Sequence, residues 1–69
     1  MQHRKALQAG LRILEEHSVP SAHLAAELLL MHVLGIHRAE LYTNPEMELS
    51  AQAEDQYQGL IRQRLAGNP

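Results

Sequence analysis

Histidines and paired acidic residues are the side chains of this 69-residue chain that could do chemistry. Histidine is a common zinc ligand, and two neighbouring carboxylates can share acid–base work. The five histidines include no pair at the four-residue spacing that would place two ligands on one helical face: His3, His17, His23, His32 and His37. We therefore predict no metal site. We expect His32 to be the histidine that is partly buried.

The acidic pairs do not predict a catalytic site either. Glu15 with Glu16, and Glu54 with Asp55, are adjacent in sequence, so their side chains point in different directions around a helix. The chain contains no glycine-rich phosphate loop and no nucleophile beside a base. We predict no catalytic and no cofactor-binding residue, and we place the carboxylates on solvent-exposed faces.

The amino-acid composition argues against further classes of function and location. Six Lys and Arg residues scattered among eight acids give a net charge of −2, which provides no dense positive face for nucleic acid. Cysteine is absent, which fits a cytoplasmic location. Charged residues interrupt the start of the chain, so we expect no signal peptide. The apolar stretch Leu24–Leu34 is shorter than the ~20 residues of a membrane span, so we expect no membrane contact.

The stretch Ser21–Gly35 predicts the central helix of the fold. Its apolar residues spread around nearly the whole circumference, and a helix of that kind is usually buried. We expect Ser21 to cap its first turn and Gly35 to end it in a left-handed conformation. Replacing Leu28 or Leu30 with alanine should cost about 2–5 kcal/mol if both are core residues.

A long amphipathic helix precedes this stretch, and its apolar stripe contains Leu7, Gly10, Leu11 and Leu14. Gly10 either permits close approach of another helix or is a tolerated weak point. Pro20 separates this first helix from the central one, because the residue before a proline leaves the helical region. The short link predicts that the two helices pack against each other.

Two further helices are predicted after Gly35. A short one covers Ile36–Thr43 and stops at Asn44 and Pro45, and a connector over Pro45–Leu49 has room for one helical turn. A long last helix begins after Ser50 and ends at Gly67-Asn68-Pro69. Residues 1–69 are therefore expected to form a single all-α domain, a small bundle of four to five helices.

Two side chains of the last helix matter for packing. Tyr57 shares the inward stripe with Leu60 and Ile61. Arg64 lies on the same stripe, so its guanidinium must reach the edge of the core or find an acidic or carbonyl partner.

The segments LAAELLLMHVLGIHRAELYTNPEMELS and IRQRLAGNP resemble the N-terminal domain of the HemK/PrmC family of release-factor glutamine methyltransferases. The resemblance covers most of the chain, and the ordered set of matching residues carries it, since no single motif is specific. The chain departs from the family pattern at His23, Ala25, Gln63 and Asn68. The matching residues are Ala26, Glu27, Leu28, Leu29, Leu30, His32, Val33, Leu34, Gly35, Arg38, Ala39, Leu41, Pro45, Leu49, Arg64, Gly67 and Pro69.

The resemblance implies a helical domain joined by a linker to a Rossmann-like domain. In the family, that second domain binds S-adenosylmethionine and methylates the glutamine of a GGQ motif in class I peptide-chain release factors. The family's catalytic Asn-Pro-Pro-Tyr signature is absent, because Asn44-Pro45 and Asn68-Pro69 lack the second proline and the tyrosine. The resemblance therefore implies a substrate-recognition domain without a cofactor of its own, whose partners are the release factor and its own C-terminal catalytic domain.

For contacts with a partner we predict Arg38, Tyr42 and Arg62, which should be exposed at or near helix ends beside the expected linker. The alternative function is a free-standing helical adaptor that binds a partner helix through apolar surface that the short third helix leaves exposed. A reading frame that continues past Pro69 into an Asn-Pro-Pro-Tyr motif would distinguish the two. DNA binding by a helix-turn-helix is disfavoured by the acidic balance.

Overall fold

Residues 1–67, the part of the chain that the computed structural model describes, form four α-helices. Helices α1, α2 and α4 pack against one another, and the short α3 packs against α2. The predicted all-α class and the order of long, central, short and long helices are confirmed. The helices are α1 His3–Glu16, α2 Ala22–Leu34, α3 Arg38–Thr43 and α4 Ala51–Leu65.

The core lies where α1, α2 and α4 meet. Leu14 and Leu30 are fully buried, and Tyr57 and Ile61 of α4 lie beside them. The apolar stripe of α1 faces α2 and α4, as its amphipathic pattern predicts. Leu60 is only half-buried.

Helix α2 is less buried than the sequence predicts. Ala26 and Leu30 are completely enclosed, but Leu24 and Leu28 are 44% and 49% exposed. The expectation that Leu28 is a core residue is therefore wrong. Two long helices cover one side of α2, and α3 is only six residues long, which is too short to cover the rest.

The link between α1 and α2 uses backbone geometry in place of a side-chain cap. Ser18 and Ser21 both adopt positive φ values, 56° and 52°. Ser21 makes no side-chain hydrogen bond to α2, so its predicted role as an N-cap is wrong. Pro20 lies between the two helices as expected.

The ends of the other helices follow the sequence signals more closely. Gly35 has a φ of 66° and donates its N–H to the Met31 carbonyl at 2.8 Å, which confirms the left-handed cap. The Ser50 hydroxyl accepts a hydrogen bond from the Ala53 N–H at 3.1 Å, which confirms the N-cap of α4. Helix α4 ends at Leu65, and the predicted stop at Asn68-Pro69 lies outside the described residues.

The connector between α3 and α4 is not helical. It makes one turn, in which the Met47 N–H donates to the Asn44 carbonyl at 3.2 Å, and then runs beside the start of the chain. The His3 N–H donates to the Met47 carbonyl at 2.8 Å, and the Leu49 N–H donates to the Met1 carbonyl at 2.7 Å.

The buried histidine is not the expected one. His3, whose backbone is hydrogen-bonded to the connector, is buried, whereas His32 is exposed, so the expectation for His32 is wrong. Within residues 1–67, no helix has the length and the apolar character needed to cross a bilayer.

Candidate functional site

Arg38 and Tyr42, two of the three predicted partner residues, lie on one face of α3. They are four residues apart, so their side chains are neighbours on the helix surface. The Glu40 carboxylate accepts the His37 N–H at 3.5 Å and so helps to fix the start of the helix, while the Thr43 hydroxyl donates to the Ala39 carbonyl at 2.7 Å. Helix α3 therefore presents both side chains in a defined orientation.

Glu27 of α2 holds the two side chains together. Its side chain is 7% exposed, and its Oε1 lies 3.4 Å from Nε of Arg38. The Tyr42 hydroxyl donates a hydrogen bond to Oε2 of the same carboxylate. His23, one turn earlier on α2, places its Nδ1 3.9 Å from Oε1. These four residues form what we call the Glu27 cluster.

The electrostatic effect of the Glu27 cluster is seen in the pKa of Tyr42. Its hydrogen bond to Glu27 raises the pKa of the phenol, and burial and the negative charge of Glu27 act in the same direction, while Arg38 opposes them. Tyr42 is nevertheless 48% exposed, and the Arg38 side chain is 51% exposed. The buried carboxylate thus orients two side chains whose outer surfaces face solvent.

Such an arrangement is suited to binding rather than to catalysis. A guanidinium whose Nε is held by one carboxylate can still offer its terminal N–H groups to a second acceptor. A tyrosine ring with an anchored hydroxyl offers apolar contact area at little cost in side-chain entropy. Aromatic residues and arginine are enriched at protein interfaces for these reasons.

Arg62, the third predicted partner residue, lies elsewhere on the fold. It is exposed on α4 and lines a groove of about 330 Å³ between α1 and α4, together with Ile13 and Leu65. Neither Arg38 nor Tyr42 lines this groove. The structure therefore brings two of the three predicted residues together and leaves the third apart from them.

Glu27 is the residue of this cluster that the sequence analysis missed. The prediction that the carboxylates lie on solvent-exposed faces is wrong for Glu27, which is buried by α3. A signal was present, because a carboxylate in a helix that is apolar on all sides needs a donor if it is enclosed. Arg38 and Tyr42, spaced four apart just after Gly35, could have been recognised as the two donors.

The remaining titratable groups offer no metal site in the part of the chain that is described. Across residues 1–67, no three His, Asp or Glu side chains lie close enough together to hold a metal ion.

Comparison with known proteins shows that the sequence of this chain is similar to part of one class of enzyme. The chain is 42% identical over 66 residues to a release factor glutamine methyltransferase of Koribacter versatilis, and 35% identical over 63 residues to one of Chlorobaculum tepidum. A third relative of that description, from Shewanella oneidensis, is 44% identical over 52 residues. These alignments cover 96%, 91% and 75% of this chain.

The chain is thus similar, over nearly all of its length, to part of a methyltransferase. A family model described as the PrmC N-terminal domain matches residues 5–69, and the chain belongs to this family. It spans only 24%, 21% and 18% of the three relatives. No solved structure matches the chain.

Proposed function

We propose that this chain is the substrate-recognition domain of an S-adenosylmethionine-dependent methyltransferase that modifies the GGQ glutamine of class I peptide-chain release factors. The observation that carries the proposal is the match of residues 5–69 to the PrmC N-terminal domain, together with relatives named as release factor glutamine methyltransferases. Residues 1–69 act as one helical domain in the cytoplasm, and the methyl transfer takes place in a separate catalytic domain.

The Glu27 cluster supports the recognition role. Arg38 and Tyr42 are half exposed yet tied to a buried carboxylate, so their contact with a release factor would cost little further ordering. Their chemistry fits a partner surface that offers an acidic side chain beside an apolar one. Arg62 would contribute a second, separate contact at the α1–α4 groove.

The contact between Arg38 and Glu27 determines which variant is suitable for testing the recognition role. Reversing the charge of Arg38 would place a second carboxylate against Glu27 and disturb the fold, so Arg38→Gln is the appropriate variant. The protein for the test is this chain fused to the methyltransferase portion of the Koribacter versatilis relative. Arg12→Gln, which changes an exposed arginine of α1, is the matched control.

The expected result is weaker binding of a class I release factor by Arg38→Gln, with Arg12→Gln unchanged. A lost contact worth about 1 kcal/mol corresponds to a roughly fivefold rise in Kd. In a methylation assay KM should rise while kcat stays constant, because the contact is remote from the chemistry. Equal affinity of Arg38→Gln, Tyr42→Ala and Arg62→Gln with the unsubstituted fusion would remove these residues from the interface.

The absence of a cofactor role is tested on the 69-residue chain itself. Calorimetric titration with S-adenosylmethionine should give no heat of specific binding. A Kd in the micromolar range would contradict the assignment of cofactor binding to the separate domain.

A further inference from the structure

One face of α2 is apolar and open to solvent. Leu24 and Leu28, one helical turn apart, are each almost half exposed, and Pro20 and Leu29 continue the surface. Arg64 of α4 closes one side, and together these residues line a groove of about 320 Å³. We call these five residues the α2 groove.

A solvent-facing helix side usually carries charged or polar residues. Helix α2 instead has leucines on both its buried and its open side, with Leu30 inside and Leu28 outside. A helix that is apolar all round is expected to be enclosed on all sides. In addition, contiguous exposed apolar surface of this kind marks interaction sites in soluble proteins.

The position of the groove indicates what encloses it. Arg64 belongs to the last turn of α4, so the polypeptide that follows α4 begins beside the groove. The Koribacter versatilis relative has about three-quarters of its length outside the matched region. Because the matching family is described as an N-terminal domain, that remaining length follows α4 in the relatives.

We propose that the α2 groove is the docking surface for the methyltransferase portion that follows this domain in its relatives. Leu24 and Leu28 pack against apolar side chains of that portion. Arg64 forms no ion pair with any carboxylate of residues 1–67, so the docked surface supplies an acidic group opposite its guanidinium.

The absence of cysteine from the chain provides a direct test. Leu28→Cys introduces a single thiol into the groove, and Gln8→Cys introduces one on the exposed side of α1 as a control. Each variant is prepared as the 69-residue chain and as a fusion to the methyltransferase portion of the Koribacter versatilis relative, with the native cysteines of that portion replaced by serine. The rate of reaction with N-ethylmaleimide is measured without a release factor.

We expect fusion to slow the modification of Leu28→Cys by about tenfold or more. A tenfold lower rate corresponds to a docked state that is favoured over the undocked state by roughly 1.4 kcal/mol. Fusion should leave the rate for Gln8→Cys unchanged. Adding Arg64→Gln to the Leu28→Cys fusion should restore part of the lost reactivity. Melting curves of the two cysteine variants should match that of the parent chain, because both positions are exposed.

Three results would overturn the proposal. Equal rates for the isolated and the fused Leu28→Cys would show that the methyltransferase portion does not cover the groove. Protection of the isolated chain that grows with its concentration would assign the groove to a second copy. Protection that requires an added release factor would assign it to the substrate. Since the main measurement omits the release factor, it can fail or succeed independently of the recognition role.

Discussion

The phenol ring of Tyr57 on α4 lies directly against Gly10 on α1. A Cβ atom built at position 10 would be 2.9 Å from Cζ of the ring and closer still to the hydroxyl oxygen. The ring is held in this position, because it is 3% exposed and its hydroxyl donates to the Ala26 carbonyl of α2 at 3.0 Å. One glycine thus allows a single side chain to connect three helices.

Gly10→Ala should therefore destabilise the fold. Alanine gains about 1 kcal/mol over glycine as a helix former. Against this, overpacking of a rigid core costs about 1–3 kcal/mol, and movement of Tyr57 would break its hydrogen bond to Ala26. We expect a net loss of roughly 1–2 kcal/mol in the free energy of unfolding, measured by urea denaturation.

Gly59→Ala is the matched control for this substitution. Gly59 lies within α4, and apart from its chain neighbours and the adjoining backbone of α4 no atom would be within 4 Å of an added Cβ. Only the helix propensity changes, so stability should rise by up to about 1 kcal/mol. If Gly10→Ala were stabilising by the same amount, the close packing of α1 on α4 would be refuted.

The two leucines of α2 should respond very differently to truncation. Leu30 is fully buried, so Leu30→Ala should cost about 2–5 kcal/mol through lost burial and a cavity. Leu28 is 49% exposed, so Leu28→Ala in the 69-residue chain should cost less than about 1 kcal/mol. Thermal melts followed by circular dichroism measure both. Similar losses for the two variants would contradict the open face of α2.

The helices themselves were predictable because local signals define them. The three links between the four helices of residues 1–67 contain Pro20, Gly35, Asn44-Pro45 and Ser50, whose effects on the backbone act within a few residues. Ser21 failed as a cap because the backbone of the link adopts positive φ there, which propensity does not reveal.

The open face of α2 and the burial of Glu27 were harder to predict, since both depend on tertiary packing. Periodicity shows that α2 is apolar all round, but not how many neighbours the rest of the chain can supply. Likewise, the burial of Glu27 requires α3 to fold back onto α2, so the signal from Arg38 and Tyr42, two donors four residues apart, had to be combined with that packing. The predicted pair Arg38 and Tyr42 was therefore found without the carboxylate that orients it.

The fold should lose stability at alkaline pH through Tyr57. Burial raises the pKa of its phenol above the ordinary value of about 10, so the unfolded chain releases this proton at lower pH than the folded one. The protonated phenol of Tyr57 therefore contributes its full stabilisation of the fold below pH 10, and this contribution is lost as the pH rises towards the folded-state pKa. The free energy of unfolding, measured by urea denaturation, should be larger for the parent chain than for Tyr57→Phe, and this difference should shrink above pH 10. A difference that stays constant to pH 12 would contradict the burial of the phenol.

The Glu27 cluster makes a separate prediction about Tyr42. The chain has two tyrosines, so in a Tyr57→Phe background Tyr42 is the only one left, and its ionisation can be followed by ultraviolet absorbance. Loss of the Tyr57 hydroxyl costs about 1 kcal/mol, which leaves the fold in place for this measurement. Glu27→Gln then removes the carboxylate whose hydrogen bond and charge hold the pKa of Tyr42 above 10, while Arg38 remains to lower it.

The pKa of Tyr42 should consequently fall towards its ordinary value in Glu27→Gln. Glu16→Gln makes the same change in net charge at an exposed position of α1 and should leave the titration unchanged. Because Tyr42 and Arg38 are half exposed, water can replace their bonds to Glu27, and the variant should keep its helical circular dichroism. An unchanged pKa in Glu27→Gln would mean that Glu27 does not orient Tyr42, and the recognition role would then lose the preorganised pair on which it depends.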